Sequence, residues 1–338
     1  TGVIFMLTAG IKNTTALREH KKETAKQKTV SFFKNLLRAV FLIGMGYVML
    51  YPILFMVSGA FKAGVDVYDP TVIWLPKHYS TQAMKLAIKS LKFWGSLKNT
   101  LLILVPSVCL QMVSTLLAGY GFARFKFKER GLLFGCLIFT IIVPIQNLIV
   151  PLYANFQSFN MFGIGFIYSA ITGGEHINLL NTGWPFYLTA AFGMGIRSGL
   201  YIFIMRQFFR NMPKELEEAA LIDGCGSFKT FTSVMLPNVK PAIVTVLVFS
   251  VVWYWNNYYE ASMFLMDKQT LSVSLTMLNG MLDITAGSIS SITSQELMLM
   301  RDGVLECGCI LVMLPLLVMY IILQKQFTES VERTGIVG

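Results

Sequence analysis

The chain has 338 residues, of which 54% are hydrophobic and only 14% are charged. Soluble globular domains usually carry about 25% charged residues, so this composition excludes an ordinary water-soluble domain and favours a protein that spans a membrane. The formal net charge of +10 indicates attraction to anionic lipid, and binding to nucleic acid is the less favoured interpretation.

Long apolar stretches with few charges define the predicted elements, because about 20 apolar residues are needed to cross a bilayer as a helix. The sequence predicts an all-α, polytopic membrane protein with six transmembrane helices. The predicted spans are 36–61, 97–123, 132–156, 186–209, 242–266 and 304–323. A further apolar patch at 161–171 is short and rich in glycine, so we expect a surface or re-entrant segment there.

These spans divide the chain into three parts. Residues 1–35 form a basic N-terminal tail, 36–325 a six-helix transmembrane domain with a long loop at 211–237, and 326–338 a C-terminal tail. The first span is longer than the apolar region of a signal peptide and lacks a small-residue cleavage site, so we expect it to be retained. The basic tail lies on anionic lipid, folds against a partner or stays disordered, and the sequence leaves all three open.

The distribution of Lys and Arg predicts the orientation, since positive charge is retained on the cytoplasmic side. Nineteen of the 28 basic residues fall in four regions, which are the N-terminal tail extended to Arg38, the 124–130 turn, the 206–240 loop and the C-terminal end from Lys325. Both termini are therefore expected in the cytoplasm. Six lysines after the first span weaken this count, although that connection is long enough for the rule to lose force.

The cysteines and histidines give no catalytic or metal-binding pattern. Cys307 and Cys309 form a Cys-Gly-Cys pair, but two thiols without a nearby histidine make a weak metal or redox site, and we interpret them as structural. The three histidines are widely separated in the sequence, so neither a Ser-His pair nor a metal cluster is indicated. We expect no enzymatic activity and no metal site in this chain.

The most informative segment lies in the predicted cytoplasmic loop and reads Pro213-Lys-Glu-Leu-Glu-Glu-Ala-Ala-Leu-Ile-Asp-Gly224. Its three glutamates suit the N-terminal end of a helix, where the helix dipole favours negative charge, and Gly224 suits a helix end. Ser227 is expected to cap a second helix that runs to Pro237. The loop therefore predicts two helices joined by a glycine turn.

The spacing of Glu218-Ala219-Ala220, Gly224 and Val234-Met-Leu236-Pro237 resembles the EAA loop of the permease subunits of ABC importers. Only the valine departs from the pattern, since that family usually has isoleucine there. The resemblance implies a type I importer permease fold, in which this loop is a cytoplasmic coupling helix seated in a cleft of the ATP-hydrolysing subunit. Small alanine side chains would let that partner approach closely. The coupling role falls on Glu218, Ala219, Ala220, Asp223 and Gly224.

Residues 36–338 as a whole are similar to the permeases that import maltose and other oligosaccharides, including Trp253-Tyr-Trp-Asn-Asn257 and the ending from Phe327. In maltose-type members that ending reaches between the ATPase subunits. The resemblance implies sugar import across a bacterial plasma (inner) membrane. It also implies a second homologous permease, two ATP-binding subunits and an extracytoplasmic solute-binding protein. ATP and Mg²⁺ are expected on the ATP-binding subunits, because this chain lacks a Gly-x-x-x-x-Gly-Lys-Ser/Thr loop.

Aromatic, amide and charged side chains near the outer half of the fifth span are candidates for the solute path, because aromatic faces stack on sugar rings and amides bond hydroxyls. The alternative is an aromatic belt at the membrane interface. The candidates are Trp253, Trp255, Asn256, Asn257 and Glu260, with Arg197 from the fourth span. Arg197 either faces a cavity near the bilayer centre with Glu260 as its partner, or lies beyond a shifted span boundary with 193–195 in a turn.

Two alternative functions stay open. The first is the same type of importer for an amino acid, a phosphate ester or an acidic oligosaccharide, since the coupling loop is shared across solute classes. The second, from a different class, is a polytopic membrane enzyme, which the lack of a catalytic constellation in the sequence disfavours.

Overall fold

The computed structural model describes residues 2–67, 69–160, 163–172, 176–287 and 293–335. Within these ranges the protein is helical and has no β-strand beyond two isolated bridges, Lys62 with Tyr79 and Phe159 with Ile177. The predicted all-α class is confirmed.

The N-terminal half consists of two long helices, α1 and α4, and several short ones. The helices are α1 (Gly2–Ala60), α2 (Gly64–Val67), α3 (Gln82–Ser90), α4 (Phe93–Arg124), α5 (Arg130–Ile142), α6 (Ile149–Gln157) and α7 (Ile164–Thr172), with a 3-10 turn at Ile145–Asn147. The predicted surface or re-entrant patch corresponds mainly to α7, whose nine residues are too few to span a bilayer. The first two residues of the predicted patch, 161 and 162, lie outside the described ranges.

The C-terminal half is more segmented until its last helix. It contains α8 (Trp184–Ala191), α9 (Ser198–Asn211), α10 (Glu215–Ile222), α11 (Ser227–Thr230), a π-helical turn (Phe231–Met235), α12 (Leu236–Asn238), α13 (Lys240–Trp255), α14 (Tyr259–Phe264), α15 (Leu271–Gly287) and α16 (Ser294–Gly335). Helices α1 and α16 extend through most of the two predicted tails. The final residues, 336–338, lie outside the described part of the chain.

Three helical stretches are long and apolar enough to cross a membrane by themselves: Val30–Ala60, Phe93–Arg124 and Gln295–Gln324. They agree with the predicted first, second and sixth spans. A fourth is added if Ser227–Asn238 and Lys240–Trp255, which meet at 78°, count as one broken span. The described residues thus support three or four spans by length and composition, and six stays a prediction.

The predicted third, fourth and fifth spans are interrupted for local reasons. Helix α5 ends before Val143, which precedes Pro144 and has a ψ angle of 122°, because a proline drives the preceding residue out of the helical region. Between α8 and α9 the chain turns through Gly193 and Arg197, whose φ angles are 70° and 57°. The fifth predicted span is divided between α13 and α14.

Helix α4 of the N-terminal half packs against three helices of the C-terminal half, α8, α9 and α13. The first packing unit forms around it. Gly119 of α4 faces Met205 of α9, and a Cβ atom added at 119 would stand 2.5 Å from the Met205 Cβ. Met205 and Tyr201, which lie on the same face of α9, are fully buried. The glycine therefore permits a close approach of two apolar helices, as is typical of helix pairs in membranes.

A second packing unit joins α16 to α1, α3 and α15. Helix α15 was not predicted from the sequence, although leucines recur at helical spacing at 271, 275, 278 and 282. Leu271, Leu278 and Leu282 are completely buried. The exposed carboxylate of Asp283 on α15 pairs with Arg301 on α16, with a shortest N–O distance of 2.9 Å.

Candidate functional site

Helix α10 is the predicted coupling helix, and a tight glycine turn ends it. Gly224 has a φ angle of 78°, a left-handed conformation that glycine adopts without steric cost. The Cys225 N–H donates to the Ala220 carbonyl at 2.9 Å, and the Gly224 N–H donates to the Leu221 carbonyl at 3.1 Å. This is the Schellman arrangement, which satisfies the last carbonyls of a helix. The prediction that Gly224 ends the helix is confirmed.

The second predicted helix of the loop is present as a continuous helical run, 227–238, with a π-helical turn in its middle. Ser227 is its first residue, and Gly226 occupies the cap position in an extended conformation. The expectation that Ser227 caps this helix is therefore wrong. After Val239 the chain bends by 78° into α13.

Glu217, which the sequence analysis did not single out, fixes α10 to the C-terminal end of α4. Its Oε1 atom accepts a hydrogen bond from the Tyr120 hydroxyl at 2.9 Å and lies 3.5 Å from the Nε atom of Arg124. Arg124 also donates through Nη2 to the Met212 carbonyl at 2.8 Å. The Arg124 and Glu217 side chains are 7% and 19% exposed, so solvent and salt screen this pair less than a surface ion pair.

An aromatic cluster surrounds this ion pair. The Tyr120 ring lies 4.8 Å from the Phe231 ring and 5.4 Å from the Phe209 ring, measured between centroids.

Ala220 is only 6% exposed, so it belongs to the protein's own interior. The expectation that Ala220 faces another protein is corrected accordingly, whereas Ala219 is exposed.

The coupling segment also has large apolar side chains that are exposed. Leu221, Ile222 and Phe228 are 56%, 86% and 78% exposed, and Glu218 and Asp223 beside them are exposed as well. Large apolar side chains grouped on a surface mark an interaction site more often than scattered ones do. The segment thus has one face held by the protein's own helices and one face available to a partner.

Arg197 and Trp253 are two solute-path candidates that the structure brings together. The guanidinium carbon of Arg197 lies 4.4 Å from the centroid of the Trp253 ring, within the range of a cation–π interaction. Both side chains are exposed. Arg197 stands at the end of the turn before α9, which agrees with the second alternative from the sequence, a turn at 193–195. Within the described ranges, Arg197 forms no ion pair with Glu260.

Trp255 is the last residue of α13 and Asn256 follows it, and the two lie in different environments. Trp255 is 4% exposed, and its indole N–H donates to the Val312 carbonyl of α16 at 3.1 Å. This packing contradicts its prediction as a solute contact, because the ring is enclosed by the chain itself. Asn256 is exposed and caps the helix by donating to the Val252 carbonyl at 3.0 Å.

Asn257 and Glu260 form a local pair between α13 and α14. The Asn257 side-chain amide donates to Glu260 Oε2 at 3.1 Å, and the Asn257 side-chain oxygen accepts from the Glu260 N–H at 3.3 Å. The hydroxyl of Ser272 on α15 donates to the Asn257 carbonyl at 2.9 Å. The two candidates therefore shape one turn at the end of α13.

Gln111 on α4 was also missed, and it holds three elements together. It is completely buried; its Nε2 donates at 2.7 Å both to the Ile196 carbonyl and to the Ser198 hydroxyl. Its Oε1 accepts from the Ser250 hydroxyl of α13. These bonds fix the turn that carries Arg197. A polar amide in the middle of an apolar span was the available signal, since such groups join helices inside a membrane.

The cysteine pair shows no site chemistry in the described residues. Cys307 is buried and donates its thiol to the Ala60 carbonyl at 3.3 Å. Across the described ranges, no group of three or more His, Cys, Asp or Glu side chains is arranged to hold a metal ion.

Comparison with known proteins gives a family match. Residues 111–333 match the family described as the binding-protein-dependent transport system inner membrane component. This range begins at Gln111 in α4 and includes the coupling segment and every solute-path candidate. It covers more than half of the chain.

Relatives extend the similarity over most of the chain. LplC of Bacillus subtilis is 27% identical over 86% of this chain and 90% of its own length. The maltodextrin transport system permease protein MdxG, also of B. subtilis, is 26% identical, over 92% of this chain and 99% of its own. The diacetylchitobiose uptake system permease protein NgcG of Streptomyces coelicolor is 25% identical, over 85% and 83% respectively.

A solved structure shows the same fold. It is the crystal structure of a bacterial ABC transporter involved in the import of the acidic polysaccharide alginate. The TM-score is 0.63, with 87% of this chain and 96% of the matched chain covered, at 20% sequence identity. At this identity the likeness shows the fold alone.

Proposed function

The chain belongs to the family of binding-protein-dependent transport system inner membrane components and is an ABC importer permease; we propose that its solute is a sugar or oligosaccharide. The maltodextrin and diacetylchitobiose permeases among its relatives support this solute class. The exposed Trp253 ring supports it as well, because aromatic faces stack on sugar rings.

In this proposal the permease acts within an assembly. A second homologous permease completes the path, two ATP-binding subunits bind ATP and Mg²⁺, and an extracytoplasmic solute-binding protein delivers the sugar. The chain crosses the bacterial inner membrane six times and has both termini in the cytoplasm.

The observation that supports the coupling role is that α10 is held to α4 through Glu217 and still has exposed apolar side chains. Its exposed face, formed by Ala219, Leu221 and Ile222, would seat in a cleft of the ATP-binding subunit together with Glu218 and Asp223. Its other face is fixed to α4 through Glu217. When the ATP-binding subunits close, they would push on α10, and α4 would transmit the movement to the helices around it.

The same movement would reach the solute path. Helix α4 carries Gln111, which holds the turn preceding α9 and also bonds Ser250 of α13. Arg197 ends that turn, and Trp253 lies on α13 one turn beyond Ser250. Alternating access would therefore change the distance between the Arg197 and Trp253 side chains. Asn256, Asn257 and Glu260 would line the outer end of the same path.

An acidic oligosaccharide is the second candidate solute. The exposed guanidinium of Arg197 beside an aromatic ring favours it, since arginine pairs with carboxylates through planar, charge-assisted hydrogen bonds.

The decisive experiment measures solute-stimulated ATP hydrolysis by the complete transporter with its binding protein in lipid nanodiscs. The panel contains neutral oligosaccharides, acidic oligosaccharides, amino acids and phosphate esters. Stimulation by a neutral glycan is expected. Stimulation confined to amino acids or phosphate esters would retain the importer and overturn the carbohydrate assignment.

Coupling is tested with two glycines of the same loop. A Cβ atom at either Gly224 or Gly226 meets nothing within 4 Å, but only Gly224 has a positive φ angle. Gly224→Ala is expected to cost about 1–2 kcal/mol in the left-handed conformation and to lower transport per ATP hydrolysed. Gly226→Ala is the matched control. Equal coupling in the two variants would contradict the role of the turn.

A further inference from the structure

Arg206 on α9 is a charged side chain that the protein's own helices enclose. It is 9% exposed, and its Nε atom is buried without a hydrogen-bond partner among the described residues. Its guanidinium carbon lies 3.9 Å from the centroid of the Phe134 ring on α5, a cation–π contact. This contact attracts the charge but accepts none of its hydrogen bonds, and a buried charge without a counter-charge is costly.

The charges around Arg206 have the same sign. Arg210 lies one turn further along α9, and Arg130 is the first residue of α5, one turn before Phe134. Both arginines act on the Arg206 guanidinium by charge repulsion. Within the residues that the structure describes, no carboxylate forms an ion pair with any of the three. The cluster therefore lacks a counter-ion from this part of the chain.

The N-terminal end of α5 adds further affinity for an anion. The first amides of a helix have no acceptor inside it and carry positive partial charge. The first turn of α5 contains no acidic residue, and Glu129 at the cap position makes no side-chain hydrogen bond to it. Neither the Gly131 nor the Leu132 N–H finds a carbonyl acceptor in the described part of the chain. Because helical side chains lean towards the helix N-terminus, the Phe134 ring holds Arg206 beside this turn.

We propose that this cluster binds a phosphate group, held by the guanidinium groups of Arg206, Arg130 and Arg210 and by the first amides of α5. Arginine bonds phosphate through two parallel N–H donors. A phosphate also offers more oxygen acceptors than a carboxylate, which suits three guanidinium groups. Two sources supply this chemistry, a phospholipid headgroup and free inorganic phosphate. The cluster is separate from the solute-path candidates, and the proposal holds whatever solute is carried.

Binding is measured on the complete transporter, purified in detergent and stripped of lipid. Equilibrium dialysis with radiolabelled orthophosphate tests the free anion, and native mass spectrometry with added phosphatidylglycerol tests the headgroup. Arg206→Gln removes the buried cation. Lys128→Gln is the matched control, because Lys128 is exposed in the turn just before α5 and its loss changes the net charge equally. Since the proposed ATP-binding subunits would also bind phosphate, the readout is the difference between variants.

The wild type is expected to bind one additional phosphate group per permease compared with Arg206→Gln, and Lys128→Gln should bind as the wild type does. An additional orthophosphate would identify the free anion as the ligand, and an additional phosphatidylglycerol would identify the headgroup. The proposal is overturned if neither probe distinguishes the wild type from Arg206→Gln, which is the result expected if a carboxylate of a partner subunit fills the cluster. Equal losses in Arg206→Gln and Lys128→Gln would overturn it as well.

A second variant keeps the test independent of the folding of Arg206→Gln. Arg210 is exposed, so Arg210→Gln preserves the packing around Phe134 and removes one of the three cations. The dissociation constant of the bound probe is expected to rise about tenfold or more, as for the loss of a hydrogen bond to a charged group. An unchanged dissociation constant would overturn the three-arginine site.

Discussion

The contact between Glu217 and Arg124 should hold the coupling helix in place, and a double-mutant cycle measures its strength. Exposed ion pairs contribute about 0.2–1 kcal/mol, whereas removal of one partner of a buried pair costs about 3–5 kcal/mol. Since these side chains are 19% and 7% exposed, the expected cost of Glu217→Ala lies between, at about 2 kcal/mol. Such a loss makes local opening of α10 about 30-fold more frequent.

The assay is amide hydrogen exchange of the peptide covering 215–224, followed by mass spectrometry of the transporter in nanodiscs. Glu217→Ala and Arg124→Ala should each accelerate exchange, and the double variant should be less affected than the sum of the two. The expected interaction energy is about 1–2 kcal/mol. Glu215→Ala is the matched control, because Glu215 lies exposed in the first turn of the same helix.

Two results would refute this reasoning. The first is equal acceleration by Glu215→Ala and Glu217→Ala, which would assign the effect to net charge near the helix terminus. The second is strict additivity of the Glu217 and Arg124 variants. A parallel measurement of transport per ATP hydrolysed should rank the variants in the same order as their exchange rates.

Two further predictions concern packing and pH. Gly119→Ala should lower the thermal unfolding temperature, because the added methyl group forces α4 and α9 apart at a cost of about 1–3 kcal/mol. Gly121→Ala is the control and should leave that temperature unchanged, because a Cβ atom at 121 would lie 3.9 Å from its nearest neighbour, the Phe125 ring. The side-chain hydrogen bond from His78 lowers the pKa of Asp66 below its ordinary value of 3.8. The stabilisation of the loop at 61–80 is therefore complete above about pH 4 and lost as pH falls through the lowered pKa. Pepsin cleavage of this loop should rise steeply as the pH falls from 5 to 2, and Asp66→Asn should weaken that dependence.

The coupling turn shows how far local chemistry can be predicted. Only glycine adopts a left-handed conformation without cost, so Gly224 could be identified as a helix end before its φ angle was known. The acidic first turn of α10 was equally predictable from the helix dipole. Glu217 carried no such signal, because the three glutamates of that turn look alike in sequence and only the position of α4 selects one of them.

The solute-path candidates separate for a similar reason. Trp253 and Trp255 are two positions apart on one helix, and side chains at that spacing point in different directions. The sequence predicted both tryptophans as contacts of the solute path. Only the packing of α13 against α16 encloses Trp255 and leaves Trp253 exposed beside Arg197.

The sequence alone determined the all-α membrane class, three of the spans and the coupling motif, because these depend on apolar length and on residue types at fixed spacing. Tertiary structure decided which glutamate holds α10, how Gln111 joins three elements, and which tryptophan of α13 is exposed. Each of these features depends on contacts between residues that are far apart in the chain. The local periodicity of the sequence does not specify such contacts.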